Sequence, residues 1–294
     1  MKILCIGEAL IDMICTNKGM TLAEGSDFLK KTGGAPTNVA AAIAALGGDV
    51  ELAAKVGKDP FGKQLIQTME SFGVGTHAML EDPNHFTTFA FVSLMHDGER
   101  DFVFNRGADG QLSIDDVDAI NLNNVGIIHF GSATGFLPGP LQAAYLHLLQ
   151  KALHHKIYIS FDPNYRHLLF PNNTDSFVSQ SWHFLRNCNF FKVSDEEAML
   201  LTNTATLEDA TAFLLKETSG VFTITLGKDG TLLGLNGKQY IIEAVPVKPV
   251  DTTGAGDAFV GAVLYQLSHL DQSAIHSLSL DEWNKIILNA NKAG

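Results

Sequence analysis

Short apolar runs alternate along this chain with segments whose apolar positions recur at helical spacing, the signature of strands followed by amphipathic helices. Lys2–Ile11, Val50–Val56, Val125–Gly131, Lys156–Phe161, Phe190–Val193 and Val221–Leu226 predict strands. Phe61–Phe72, Leu141–Leu153, Leu207–Thr218 and Ala258–Leu270 predict helices between and after them. Asn236-Gly237 predicts a hairpin over Thr231–Ala244. This order builds βαβ units on a mostly parallel sheet, an α/β fold. No repeat or Pro/Ser-rich linker divides the chain, so 1–294 reads as a single unit. Two stretches break the rhythm, Met13–Thr32 and Thr87–Asn105, the second with strict alternation at its start. They predict a small β-sheet lid, built from residues 13–32 and 87–108, over the C-terminal edge of the main sheet, where open α/β folds bind ligands.

Charge narrows the partners. Twenty Lys+Arg against thirty-two Asp+Glu give a formal charge of −12, which argues against nucleic acid or an anionic membrane as the main partner. A phosphate ligand stays open, because backbone amides at a helix start hold phosphate without side-chain charge. Cys5, Cys15 and Cys188 form no pairing framework, so a reducing, cytoplasmic setting is expected. Glu8 interrupts the N-terminal apolar run too early for a secretory leader, and no apolar run is long enough to span a bilayer. The histidines show no zinc-site spacing.

Two glycine-rich turns, each opening a helix, carry the candidate chemistry. Asp251-Thr252-Thr253-Gly254-Ala255-Gly256-Asp257 precedes an apolar helical run. Gly254 and Gly256 let consecutive N–H groups point one way, and the positive end of the helix adds to them, making an anion hole for a transferring phosphoryl group. Asp257 beside it is placed to take a proton from an attacking hydroxyl, and is expected to be ionised at neutral pH. Taken alone, the segment favours the plainer reading of an Asp that merely caps a helix. Gly33-Gly34-Ala35-Pro36-Thr37-Asn38 opens the other helix, with glycines and an amide that could approach sugar hydroxyls. Gly57–Gln64 mimics a phosphate loop but carries Gln64 where the metal-binding hydroxyl belongs, so it reads as structural.

These two segments resemble the two signatures of the ribokinase-like (PfkB) carbohydrate kinases, in the family's order, and the resemblance runs from Ile6 to Gly294. It implies a three-layer α/β/α core with a mostly parallel sheet and a β lid. It implies ATP- and Mg²⁺-dependent transfer, with Asp257 as base and the amides of Gly254, Ala255 and Gly256 as anion hole. Asp12 resembles the family's sugar-binding aspartate, beside Gly33, Gly34 and Asn38; read on its own it is a residue at the end of the first strand. Phe104 and Arg106 would reach the sugar from the lid, and Arg166, in Asp162-Pro163-Asn164-Tyr165-Arg166, would meet sugar and phosphate. Lys192, Ser194, Thr225, Gly227, Gly230 and Asn291 match the nucleotide side, with Ser194 where the family has Asn. Glu197 would organise Mg²⁺ through water, and Asp251 and Thr253 mark a candidate K⁺ site. The family continues beyond the position of Gly294 with a segment that closes the adenine pocket, so ATP affinity and K⁺ activation are expected to depend on how that pocket is completed. A homodimer paired through the lid is expected by the same resemblance.

Within the family several runs resemble fructokinases, implying conversion of ATP and D-fructose to ADP and D-fructose 6-phosphate. The runner-up is a 2-keto-3-deoxygluconate or riboside kinase. A catalytically silent sugar-binding regulator is opposed by the intact Asp257, glycine turn and Glu197. A dinucleotide-dependent dehydrogenase is opposed by the absence of GxGxxG after the first strand.

Overall fold

The computed structural model describes residues 1–95, 100–244 and 254–294. Asp251 and Thr253, the candidate K⁺ residues, lie outside them. The strands are β1 (Lys2–Ile6), β2 (Leu10–Cys15), β3 (Phe28–Gly33), β4 (Val50–Gly57), β5 (Met79–Asp82), β6 (Phe89–Leu94), β7 (Arg100–Asn105), β8 (Val125–Phe130), β9 (Tyr158–Phe161), β10 (Phe190–Ser194), β11 (Val221–Thr225), β12 (Thr231–Leu235) and β13 (Lys238–Ile242). Among the described residues they form a nine-stranded sheet, ordered β13-β12-β11-β10-β9-β8-β1-β4-β5, and a four-stranded sheet, β3-β2-β6-β7. The large sheet is parallel except where β12 and β13 turn back on β11.

Alternation along the parallel strands feeds two cores. Leu4, Ile6, Ile128, Phe130, Phe191 and Val193 face one, with helices Pro140–His154, Thr174–Leu185, Asp195–Thr202 and Leu207–Glu217. Ile3, Cys5, Ile127 and Phe190 face the other, with helices Ala35–Ala45, Pro60–Ser71, Ala255–Ser268 and Leu280–Ala290. Helices on both faces make the three layers, because each must bury one apolar stripe on the sheet. Among the described residues no helix is long and apolar enough to cross a membrane.

The expected first strand, Lys2–Ile11, is in fact two strands in different sheets. Gly7 takes φ 144°, and a Cβ there would collide with Ser132, so the chain breaks out of β1 and enters the small sheet at Leu10. Asp12 therefore sits within β2 rather than at the end of a core strand. The hairpin turns at Asn236 and Gly237, both with positive φ, as a two-residue turn requires. In the Gly57–Gln64 segment, Asp59 caps the helix by accepting from Phe61 and Gly62 N–H at 2.9 Å and also holds Thr87, which is structural work.

Candidate active site

Every parallel strand of the large sheet ends on one edge, and the loops leaving β1, β8, β9, β10 and β11 meet there. The order β9-β8-β1-β4 reverses direction between β8 and β1, which opens a crevice at that edge. The Ala35–Ala45 and Ala255–Ser268 helices start beside it. Gly261 lets them close on one another, since a Cβ there would lie 2.7 Å from the Ala42 methyl. Residues 219 positions apart thereby meet: Asn38 Nδ2 donates to Asp257 Oδ2 at 2.8 Å. Gly254 caps the second helix in the left-handed region (φ 80°), and the first intrahelical bond runs from Ala258 N–H to Gly254 O. The N–H groups of Ala255, Gly256 and Asp257 thus precede the helical ladder.

Asp257 is 8% exposed, and its carboxyl is pushed up to about 7. Burial is the main cause and Asp162 adds repulsion, while Asn38, Lys192 and Arg166 pull the other way. This corrects the expectation of an Asp257 ionised at neutral pH: desolvation outweighs the hydrogen bond from Asn38 and the cations. Lys192 is buried as well, yet it is held above its ordinary range. Burial works to lower it, and Asp162, Glu197 and Asp257 together prevail. Its Nζ lies 3.2 Å from Asp162 Oδ2, and a Cβ on Gly256 would come within 3.0 Å of the same Nζ. An ammonium thus rests against the glycine turn, beside the carboxylate.

Among the residues expected at the sugar, the Asp12 carboxylate lies over Gly33, where a Cβ would overlap Oδ2. Burial raises Asp12 to about 6 against the pull of Arg166 and Lys31. The exposed Arg166 acts by charge on both Asp12 and Asp257, lowering each. Gly34, at φ 107°, turns the chain into the helix that carries Asn38. Phe104 stacks with Phe102 on β7, centroids 6.3 Å apart. Arg106 is turned to the framework: Nη1 donates to Pro138 O at 2.8 Å, Nη2 to Thr134 O at 3.3 Å, and Nε faces buried Asp109.

Among the residues expected at the nucleotide, Ser194 caps the Asp195–Thr202 helix, and Glu197 closes a capping box by accepting Ser194 N–H at 2.8 Å. The other Glu197 oxygen accepts Tyr165 N–H at 2.7 Å. Each oxygen keeps one acceptor direction, and no cluster of three metal-ligating side chains occurs among the described residues. With a free acceptor direction on each oxygen, Glu197 would suit a metal held through water. The Thr225 hydroxyl donates to Val193 O at 3.4 Å. Gly227 has open space around the Cβ position, whereas Gly230 packs on Ile242 O. Asn291 joins the last helix to the hairpin, accepting from the Thr231 hydroxyl at 2.7 Å and donating to Glu243 O at 3.1 Å.

Two carboxylates beside the site were not singled out from sequence. Asp162 shares a run with Arg166, and nothing local in that run sets it apart. The signal was the register of β9 and β10, which pairs Ser160 with Phe190 and Phe161 with Phe191 and so brings Asp162 opposite Lys192. Glu8 had no local signal, because its hydrogen-bond partners come from two distant segments, Ala35–Thr37 and Ser132–Thr134.

The model of the pfkB family carbohydrate kinases matches residues 1–282, and the chain belongs to that family. It is a sugar kinase. It is 34% identical over 295 residues to probable fructokinase-2 of Arabidopsis thaliana, covering 99% of this chain and 88% of the relative. Fructokinase-1 of Zea mays is 35% identical over 268 residues, 90% of this chain and 82% of the relative. Among solved structures, a double-mutant fructokinase of Vibrio cholerae O395 in its fructose-, ADP- and potassium-bound form superposes with a TM-score of 0.85 at 28% identity, covering 99% and 89% of the two chains. An uncharacterized sugar kinase of Pyrococcus horikoshii in complex with ATP gives 0.84 at 30% identity, covering 99% and 90%.

Proposed function

We propose that this sugar kinase is a fructokinase that transfers the γ-phosphoryl of ATP to the 6-hydroxyl of D-fructose, with Asp257 as general base. The observation that carries the reading is the Asn38–Asp257 contact at 2.8 Å, which joins the two glycine turns around one buried carboxylate. A carboxyl titrating at about 7 is matched to taking a proton from a sugar hydroxyl near neutral pH. The ammonium of Lys192 and the amides of Ala255, Gly256 and Asp257 would stabilise charge on the transferring group. Asp12 and Asn38 would hold ring hydroxyls, with Arg166 balancing the two carboxylates. Thr225, Gly227 and the Lys192–Glu197 segment would border the nucleotide. Mg²⁺, held through water near Glu197 and by the phosphates, would supply charge neutralisation; a K⁺ requirement is also proposed.

Fructose is favoured over 2-keto-3-deoxygluconate by charge. Arg106 is engaged with two carbonyls and Asp109, and Arg166 already faces two carboxylates, which leaves a neutral sugar better matched than a sugar acid. The relatives' names point the same way. The small sheet would act as a lid that closes on the sugar, and a dimer through it is part of the proposal. Three buried free thiols suit a reducing cytoplasm. A kcat/KM panel over fructose, ribose, 2-keto-3-deoxygluconate, adenosine and aminoimidazole riboside tests the substrate. A preference above about tenfold for any sugar but fructose overturns it.

A further inference from the structure

Glu8 is a buried carboxylate that the proposed chemistry does not use. It is 1% exposed and stands just past β1, at the reversal of strand order. Burial pushes its carboxyl above the ordinary range, and such a group is costly unless its oxygens are matched. Here both are. Oε1 accepts the N–H of Ala35 at 3.1 Å and of Ala133 at 3.4 Å. Oε2 accepts the hydroxyl of Ser132 and, at 3.4 Å, that of Thr134. The Glu8 carbonyl accepts from the Thr37 hydroxyl at 3.0 Å. The Ala35–Ala45 helix has Gly34 at its N-cap and no side-chain cap from that residue, so Glu8 supplies from a distance the acceptor that the helix start lacks. Within the same first turn is Asn38, whose amide reaches Asp257.

We propose that Glu8 is a positioning residue: it clamps the first turn of the Ala35–Ala45 helix to the loop after β8 and thereby holds Asn38 in hydrogen-bonding reach of Asp257. It touches neither the substrate nor the reacting atoms. The groups facing Asp257 are Asn38, Asp162, Lys192 and Arg166, and only Asn38 stands on the helix whose start Glu8 holds. Releasing the clamp removes a hydrogen bond that favours the ionised carboxylate, so the titration of Asp257 moves to higher pH. The functional consequence rests on Asp257 being the base, but the clamp itself does not.

The test is a pH titration of the Asp257 carboxyl carbon by ¹³C NMR in aspartate-labelled full-length protein, assigned by the resonance missing from Asp257→Asn. Glu8→Ala and Asn38→Ala are expected to raise the midpoint by the same amount, on the order of one pH unit, with no further rise in the double variant. Glu8→Gln is expected to restore the wild-type midpoint. Its amide oxygen can accept both N–H groups, and its NH₂ can donate to the two hydroxyls. A folded Glu8→Ala protein with a lowered Tm and an unmoved Asp257 midpoint overturns the proposal. If Glu8→Ala fails to fold, Glu8→Asp carries the test with the same expectation, since one methylene less cannot hold both segments. Normal turnover in Asp257→Asn alongside the NMR shift would remove the base and leave the clamp standing.

Discussion

Replacing Asp257 with Asn separates chemistry from architecture. The substitution keeps the side-chain shape and leaves an oxygen for the 2.8 Å bond from Asn38, but it cannot take a proton. If Asp257 is the base, kcat falls at least ~10²-fold. Stability should move the opposite way. The unfolded chain ionises this group at its ordinary value of 3.8, whereas the folded chain does so at about 7. Below pH 3.8 both states are protonated and the group costs nothing. Between the two values the unfolded state alone is ionised, and the cost to the folded protein grows. Above pH 7 both are ionised and the folded state bears all of it. The span is worth at most about 4 kcal/mol, at about 1.4 kcal/mol per pH unit. Asn carries no such cost, so Asp257→Asn is expected to be more stable than wild type at pH 8, with a gain that shrinks steadily towards pH 4. Coupled ADP release under saturating fructose gives kcat, and denaturant unfolding at pH 5 and pH 8 gives the stability difference. Near-normal turnover would refute the base. Lost turnover with lower stability at pH 8 would refute the origin assigned to the raised titration.

The same titration predicts that kcat/KM rises about tenfold between pH 6 and pH 8, because the base must be deprotonated; a flat profile over that range counts against a midpoint near 7. Gly33→Ala would put a methyl into Asp12 Oδ2 and turn that carboxylate aside. The KM for fructose should rise about tenfold with the KM for ATP unchanged, and equal rises in both would contradict the assignment of Asp12 to the sugar. Lys192→Met leaves Asp162 buried without its cation and should cost about 3–5 kcal/mol in denaturant unfolding. Adding Asp162→Asn should recover most of the stability but not the turnover; if turnover also returns, Lys192 does not serve transfer.

The α/β core was legible because its periods are local: the parallel strands are short apolar runs, and the hairpin announces itself at Asn236-Gly237. Both halves of the site were legible for the same reason, as glycines directly before helices at Gly33-Gly34 and Gly254-Ala255-Gly256. Their meeting was not, since it depends on the close approach at Gly261 and Ala42. The break at Gly7 was hidden because Leu10 and Ile11 continue the apolar pattern of β1. What requires glycine there is the close approach of Ser132, far away in sequence. Asn291 stands where the resemblance put it in sequence, yet its amide serves the hairpin, a partner no pattern near position 291 reveals. The shifted midpoint of Asp257 was equally out of reach, because burial and Asp162 are properties of the assembled edge.

Asp12 and Gly33 hang from the four-stranded sheet, while Asn38, Lys192 and Asp257 belong to the nine-stranded sheet and the helices packed on it. On the proposed roles, the Asp12 share of acceptor recognition is thus written on a separate piece of framework from the phosphoryl chemistry, while Asn38 reaches the acceptor from the larger one. Changes confined to β2, β3, β6 and β7 would then redraft how Asp12 greets the acceptor without touching Asn38, Lys192 or Asp257. Chimaeras that exchange only the four small strands should therefore shift the KM for sugars further than kcat, with the host's Asn38 still in place.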